Sequence, residues 1–405
     1  MSSIALFPCL CTPNAGIIDE LSTRLDLQVY TDDNLINDTS NRFGNDEANL
    51  KKMMFGKTSV FNQFTLEKER TVSMFRTVLA EKLQEQDRYL FYGFHTLLIP
   101  PDVSEVLRVL VVDTRQSRID CCQKEGLSIK EVKRKVRMHD VSAYSWSDFL
   151  SKKEAYDRSL YDLVLPVESR DHKELSDEIL KLFYTTSILR TEKSQQGVRN
   201  LATKAAVKRV LLEKGHNLGV TADGNDIVIT IHNAVFNLGS LEVELTKLAK
   251  TVPGVENVTL QKSKAYKDSI YRAQKFELPS KVLFVDDEKD FVQTVSQRLI
   301  SRDVGTYGVF NGEEALELIC EDTPEVMVLD LKMPGINGIE VLRRTKEIAP
   351  GVEIIILTGH GTVKDERECM ELGAFAYLNK PVDIEELSAT IKAANEKIRT
   401  DNIVT

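Results

Sequence analysis

VMVLDLKMPGING, residues 326 to 338, is an apolar run that ends on one acidic residue, Asp330, and passes at once into a turn carrying Pro334 and Gly335. A run of this kind reads as a strand buried on both faces of a parallel sheet. Asp330 then sits at its carboxyl end, where open α/β sheets place their ligand sites. Three further stretches end in the same way. KVLFVDDEKD (Lys281 to Asp290) delivers Asp286 and Asp287, EIIILTGHG (Glu353 to Gly361) delivers Thr358, and AFAYLNKP (Ala374 to Pro381) delivers Lys380 before a proline. Four strand ends thus supply three carboxylates, a hydroxyl and an ammonium.

From Lys281 to about Arg399 the pattern alternates. Strands are expected at 282–285, 304–309, 326–330, 353–357 and 375–378, and helices at 289–301, 312–321, 337–348, 362–372 and 383–398. Five βα units at this spacing predict a doubly wound parallel sheet. Three carboxylates brought together suit a hard cation with oxygen ligands.

The alternation and the placement of Asp286, Asp287, Asp330, Thr358 and Lys380-Pro381 resemble the response-regulator receiver domain, a flavodoxin-like (βα)5 fold. The resemblance implies that Asp330 is the phosphoacceptor, taking its phosphoryl group from a sensor histidine kinase or a phosphotransfer protein. It implies Mg²⁺ held by Asp286, Asp287, Asp330 and the backbone carbonyl of Lys332, with Lys380 offsetting charge on the transferring group. It also implies that Thr358 and Tyr377 form the conformational switch, and it admits a homodimer through the receiver.

At 405 residues the chain is long enough for two or three domains. It contains no apolar run of the roughly 18 residues that span a bilayer. MSSIALFPCLCTPNAG at the N-terminus lacks a basic segment and is interrupted by Pro8, so it reads as a strand and loop. The six cysteines show no CxxC spacing, which makes reduced cytoplasmic thiols the expectation. From Glu277 onward there are 14 Lys+Arg against 25 Asp+Glu. That balance argues against a nucleic-acid grip in the C-terminal part, because phosphate contacts need cations.

Residues 1 to 185 read as an α/β domain: a strand at Ile4 to Leu10, a loop, and a helix at Ile17 to Leu25. Gln28 to Tyr30 follows as a strand, then the acidic pair Asp32-Asp33 and a polar segment at 37–49. A long helix is expected over Leu66 to Leu90, and further strands at Leu97 to Ile99, Leu107 to Asp113 and Tyr161 to Val167. The segments LQVYTDDNLI (27–36), VLRVLVVDTRQSRID (106–120), GLSIKEVKRKVRMHD (126–140) and YDLVLPVES (161–169) resemble the cytidylate kinase-like branch of the nucleoside monophosphate kinases, which have a P-loop fold. The family's phosphate loop needs glycines so that backbone N–H groups approach phosphate oxygens. FPCLCTPNAG (7–16) has one glycine, two prolines and no lysine, so a kinase-shaped scaffold without its chemistry is expected. Lys130, Lys133, Arg134, Lys135 and Arg137 fall where the family has its lid and read as the solvated face of a helix. Trp146, just beyond, is read as a reporter of lid movement.

Residues 186 to 276 form a smaller α+β unit. A helix over Gln196 to Lys214, a hairpin around Asp223-Gly224, a helix over Leu241 to Lys250 and a strand in VPGVENVTLQK (252–262) resemble the BON domain. KAYKDSIYRAQKFELPS (264–280) reads as the linker into the last domain.

The expectation is therefore an α/β multidomain, cytoplasmic response regulator with a degenerate kinase-like region, a BON-like module and a receiver. It would act through protein interaction rather than DNA. Two other readings stand beside it. One is an active nucleoside monophosphate kinase gated by the receiver, and the other a membrane-recruited adaptor acting through residues 186 to 276.

Overall fold

Alternation within SIALF decides the first core. In β1 (Ser3–Phe7) Ala5 and Phe7 face one side of a sheet while Ile4 and Leu6 face the other, and all four are buried. In the computed structural model, which describes residues 2–85, 87–123, 128–168, 170–184, 190–234, 238–270, 281–359 and 361–404, β1 lies at the centre of a parallel sheet. Its other strands are β2 (Gln28–Thr31), β3 (Tyr89–Tyr92), β4 (Val106–Val112) and β5 (Leu163–Pro166), in the order β2-β3-β1-β4-β5. Phe7, Phe91, Phe94 and Trp146 pack on one face, and Ile17, Leu21, Leu107 and Ile179 on the other.

Several local expectations are corrected here. The helix Glu67–Gln84 stops before Tyr89, which begins a strand, and Phe94–Leu98 is a 3₁₀ turn instead of a strand. The polar segment after Asp32-Asp33 forms the helices Asp32–Phe43 and Glu47–Phe55. The first of these is closed by a Thr31/Asn34 capping box. Trp146 is fully buried and donates to the Phe94 carbonyl at 2.8 Å, so it reports on the core and not on a lid. The expectation of reduced thiols fails at one pair. The fold brings the loop after β1 against the helix Arg115–Gln123, and Cys11 and Cys122 form a disulfide across 111 residues of sequence.

The helix Glu192–Glu213 is followed by β6 (Gly219–Asp223), β7 (Asp226–Ala234), the helix Leu238–Ala249 and β8 (Asn257–Ile270). β6 pairs antiparallel and β8 parallel to β7. Ile227, Ile229 and Ile231 of β7 bury against Val207, Leu211 and Leu245. Residues 264 to 270, expected in a linker, continue β8, while 271–280 lie outside the described residues.

The chain divides into two compact units. One comprises Met1–Thr58, Glu67–Glu213 and Asn217–Arg272, and the other Ser59–Leu66, Lys214–His216 and Ala273–Thr405. The second unit holds β9 (Val282–Val285), β10 (Thr306–Val309), β11 (Val326–Leu329), β12 (Glu353–Thr358) and β13 (Ala376–Asn379). They form a parallel sheet in the order β10-β9-β11-β12-β13. Alternate residues fill its two faces, Leu283, Val285, Met327 and Leu329 on one and Val282, Phe284, Val326 and Val328 on the other. The short segment Ser59–Leu66 is part of this unit, and its Phe61 is fully buried among Leu283, Val285 and Ile319.

Two ammonium groups inside the first unit give it an unusual pH response. Lys68 is 1% exposed, bonds Thr58 Oγ1 at 3.1 Å and lies 5.0 Å from the centre of the Phe149 ring. Burial pushes it down to about 8 from the ordinary 10.5. Lys208 is also pushed down to about 8, chiefly by burial and further by Arg76 and Lys204, against an opposing pull from Glu69. In the window between about 8 and 10.5 the unfolded chain holds protons at these lysines that the folded chain has released. Stability therefore rises with pH there. Buried Cys9, Tyr156 and Tyr161 are raised by desolvation and oppose that rise above their ordinary values of 9.0 for the thiol and 10.0 for the phenols. Urea titrations followed by Trp146 fluorescence should show a higher midpoint at a pH of about 9.5 than at about 7.5. A lower midpoint would contradict the burial of these lysines.

Candidate functional site

Backbone pairing places the acidic residues of the second unit. The Asp286 N–H donates to the Val309 carbonyl at 3.2 Å, and the Asp330 N–H to the Val285 carbonyl at 2.9 Å. Both residues are thereby fixed one step past the last paired positions of β9 and β11. Asp286 is fully buried, Asp330 is 6% exposed and Asp287 is open to solvent. Carboxylate oxygens of the three lie within 4.8 Å of one another.

Lys380 closes the group from β13. Its N–H donates to the Thr358 carbonyl at 2.9 Å, and its Nζ stands 2.6 Å from Asp286, 3.2 Å from Glu288 and 3.4 Å from Asp330. The peptide bond to Pro381 is cis. The ammonium also lies 4.5 Å from the centre of the Phe291 ring. Burial alone would lower the Lys380 pKa, but Asp286, Asp330 and Glu288 outweigh it and hold it above the ordinary value. For Asp286 burial dominates in the other direction. It raises the carboxyl despite Lys380 and the Glu288 N–H, which donates at 3.0 Å, and the Asp330 charge adds to the rise. One ammonium faces four carboxylates, so negative charge is in surplus. The donors are all oxygens, and the residues fit a hard divalent cation.

The remaining residues singled out by the sequence sit around this group. The Lys332 N–H faces Asp330 Oδ1 at 3.4 Å, which turns its peptide toward the acidic cluster while the side chain is exposed. Thr358 ends β12 and is fully buried. The Tyr377 hydroxyl is buried without a hydrogen-bond partner among the described residues. It occupies the space that a Cβ on Gly361 would take, and Thr358 Cγ2 lies 3.0 Å from the same point. Tyr377 and Thr358 are therefore neighbours, and only glycine at 361 leaves room for the ring end. The fold adds Glu288 and Phe291 to the residues expected from sequence. Glu288 belongs to the acidic run that follows β9, but Phe291 looks like an ordinary helix-face residue until the fold sets it under Lys380.

The first unit has its own cleft of about 560 Å³, lined in part by Pro8, Asp32, Asp33, Tyr92, Phe94 and His139, and among the described residues no Lys or Arg lines it. Asp32 is engaged. It accepts from the N–H groups of Phe94 and His95 at 2.8 and 2.9 Å and pairs with His95 Nδ1 at 2.6 Å. The loop after β1 is turned inward as well. Thr12 Oγ1 donates to the Cys9 carbonyl at 2.7 Å, Arg118 Nε donates to the Leu10 carbonyl at 2.8 Å, and Cys11 is held by its disulfide. The single glycine of this stretch, Gly16, lies in the first turn of the helix Asn14–Leu25 and serves packing, since a Cβ there would lie 2.7 Å from the His172 ring. Lys130, Lys133, Arg134, Lys135 and Arg137 are exposed along the helix Ile129–Ser151.

Two protein families match this chain. Residues 282–392 match the response regulator receiver domain, and residues 15–169 match the cytidylate kinase-like family. Sporulation initiation phosphotransferase F of Bacillus subtilis is 34% identical over 112 residues, which are 28% of this chain and 90% of that protein. Response regulator MprA of Mycolicibacterium vanbaalenii is 31% identical over 125 residues, 31% of this chain and 54% of that protein. The chain thus spans nearly all of the first relative and about half of the second. Among solved structures, a response regulator receiver domain protein from Clostridium thermocellum is 34% identical and covers 30% of this chain and 97% of that one, with a TM-score of 0.29.

Proposed function

Through residues 282–392 the chain belongs to the response-regulator receiver family, and on that premise we propose that Asp330 is its phosphoacceptor, charged by a histidine kinase or a phosphotransfer protein. The observation that carries this is the convergence of Asp286, Asp287 and Asp330 with Lys380 at the carboxyl edge of one sheet. Asp330 Oδ attacks phosphorus, an O–P bond forms as the P–N bond of a phosphohistidine breaks, and the product is an acyl phosphate. Asp286, Asp287, Asp330 and the Lys332 carbonyl would hold Mg²⁺, which when bound neutralises charge on the transferring group. Lys380 offsets the charge that the metal leaves. Thr358 donates to a phosphoryl oxygen, and Tyr377, its neighbour, moves with it as the switch.

The output is carried by residues 1 to 276 through protein interaction. This region combines a kinase-like scaffold with an α-β-β-α-β module that we read as BON-like. Three features support a scaffold that has lost phosphoryl transfer: the inward-turned loop, the disulfide at Cys11, and a cleft lined by no lysine or arginine among the described residues. The family match over residues 15–169 favours the second reading, a receiver-gated cytidylate-like kinase. Incubating the full chain with CMP, ATP and Mg²⁺ and following ADP release separates the two. No turnover above the Asp330→Ala background is expected, and CMP-dependent ADP release would overturn the scaffold reading.

A further inference from the structure

Among the described residues no Lys or Arg lines the cleft of the first unit, but several gather elsewhere in that unit. A cavity of about 440 Å³ is bounded by the helices Glu67–Gln84 and Glu192–Glu213, the end of the helix Ile129–Ser151, and the start of β6. Arg76, Lys152, Lys204 and Lys208 line it, against one carboxylate among the described residues, Glu69. Lys204 and Lys208 are one helical turn apart, so their ammonium groups emerge on the same face, and Arg76 opposes them from the facing helix.

Lys152 pairs with Asp148 at 3.3 Å, but the other three cations are poorly compensated. Lys208 Nζ reaches Asn217 Oδ1 at 2.7 Å and the Leu218 carbonyl at 2.5 Å, both neutral acceptors. Among the described residues no carboxylate stands within ion-pair distance of Arg76 or Lys204. Asp102 lies farther off, across a smaller cavity of about 210 Å³ that Arg76 and Lys204 also line. Folding has thus drawn like charges together and partly dried them, which costs stability unless a counter-charge completes the group. The rest of the wall is apolar, with Phe149, Leu150 and Leu218. The volume is in the range of sites for small organic ligands.

We propose that this cavity binds a small soluble phosphate ester, its phosphoryl oxygens meeting Arg76, Lys204 and Lys208 and its less polar part lying along Phe149 and Leu150. Arg76 supplies a fork of N–H donors and the two lysines supply point charges, a combination suited to a multiply charged tetrahedral anion. The site uses none of the receiver's carboxylates and none of the kinase-like cleft. It gives the output region an input of its own.

Calorimetric titration of the full chain with inorganic pyrophosphate, and separately with AMP, tests this. EDTA in the buffer prevents the receiver's carboxylates from recruiting phosphate through a metal. Saturable binding of at least one probe is expected at one site per chain, weakened at least about tenfold by Lys204→Gln and by Arg76→Gln. Lys204→Arg keeps the charge and should bind within about threefold of wild type. Without ligand, Lys204→Gln should melt no lower than wild type, because it removes a repelled charge, so weaker binding in that variant is not misfolding. Three results would overturn the proposal: no saturation by either probe, equal affinity in wild type and both Gln variants, or binding only to phosphatidylglycerol vesicles.

Discussion

Asp330→Ala is expected to abolish labelling of the protein by acetyl phosphate and Mg²⁺. Asp330 and Asp286 are the buried carboxylates of the cluster, and their positions are not equivalent. Asp286 is fully enclosed, stands 2.6 Å from the Lys380 ammonium, and accepts the Glu288 N–H. Asp330 keeps a small exposed surface and a longer contact to Lys380, 3.4 Å, which leaves an oxygen approachable by a phosphorus atom. Asp287 is open to solvent and no ammonium pairs with it among the described residues. The label is read by intact-mass spectrometry as one added phosphoryl group. Its persistence in Asp330→Ala would move the acceptor elsewhere. Asp330→Asn serves as the folding control, since it keeps the shape and removes one of several crowded negative charges. It should melt no lower than wild type in metal-free buffer, and a lower melting temperature would show that the carboxylate is a structural partner of Lys380 more than a reactive group.

Asp330 is legible in the amino-acid sequence because its setting is local. A buried parallel strand declares itself as an unbroken apolar run, and whatever polar residue ends the run must lie at the sheet's edge. That rule places Asp286, Asp330, Thr358 and Lys380. It does not place Phe291, whose role depends on where Lys380 arrives from the far end of the domain. The strand Tyr89–Tyr92 is hidden for a different reason. It follows an 18-residue helix after only a short break, and its own apolar residues extend the helical pattern. Polarity obscures the helix Asp32–Phe43, although Thr31 and Asn34 carry a capping signal. The Cys11–Cys122 bond and the group of Arg76, Lys204 and Lys208 join residues far apart in the chain, and nothing local marks either.

Ser59–Leu66 shows the same limit most sharply, and Phe61→Ala is the second large effect expected. Within the second unit Phe61 is fully buried beside Leu283, Val285, Ala315 and Ile319, and its ring meets Tyr307 of β10 edge-on at 6.1 Å. The segment is anchored at the same place by Asp322, whose carboxylate accepts from the Ser59 hydroxyl at 2.7 Å and the Val60 N–H at 3.0 Å. Removing a buried phenyl ring costs about 3 to 5 kcal/mol, a large share of the roughly 5 to 15 kcal/mol that holds a typical domain together. Phe61→Ala should therefore lower the calorimetric transition of the second unit by several degrees. Ser59→Ala removes one hydroxyl donor and should cost only about 1 kcal/mol. A chain cut to residues 273–405 lacks the ring and both donors to Asp322, so it should be less stable than the same residues within the full protein. If Phe61→Ala melts within a degree or so of wild type, the ring is not part of that core. If it does lower the transition, part of what stabilises the sheet that carries Asp330 is contributed by a segment more than 200 residues upstream of it.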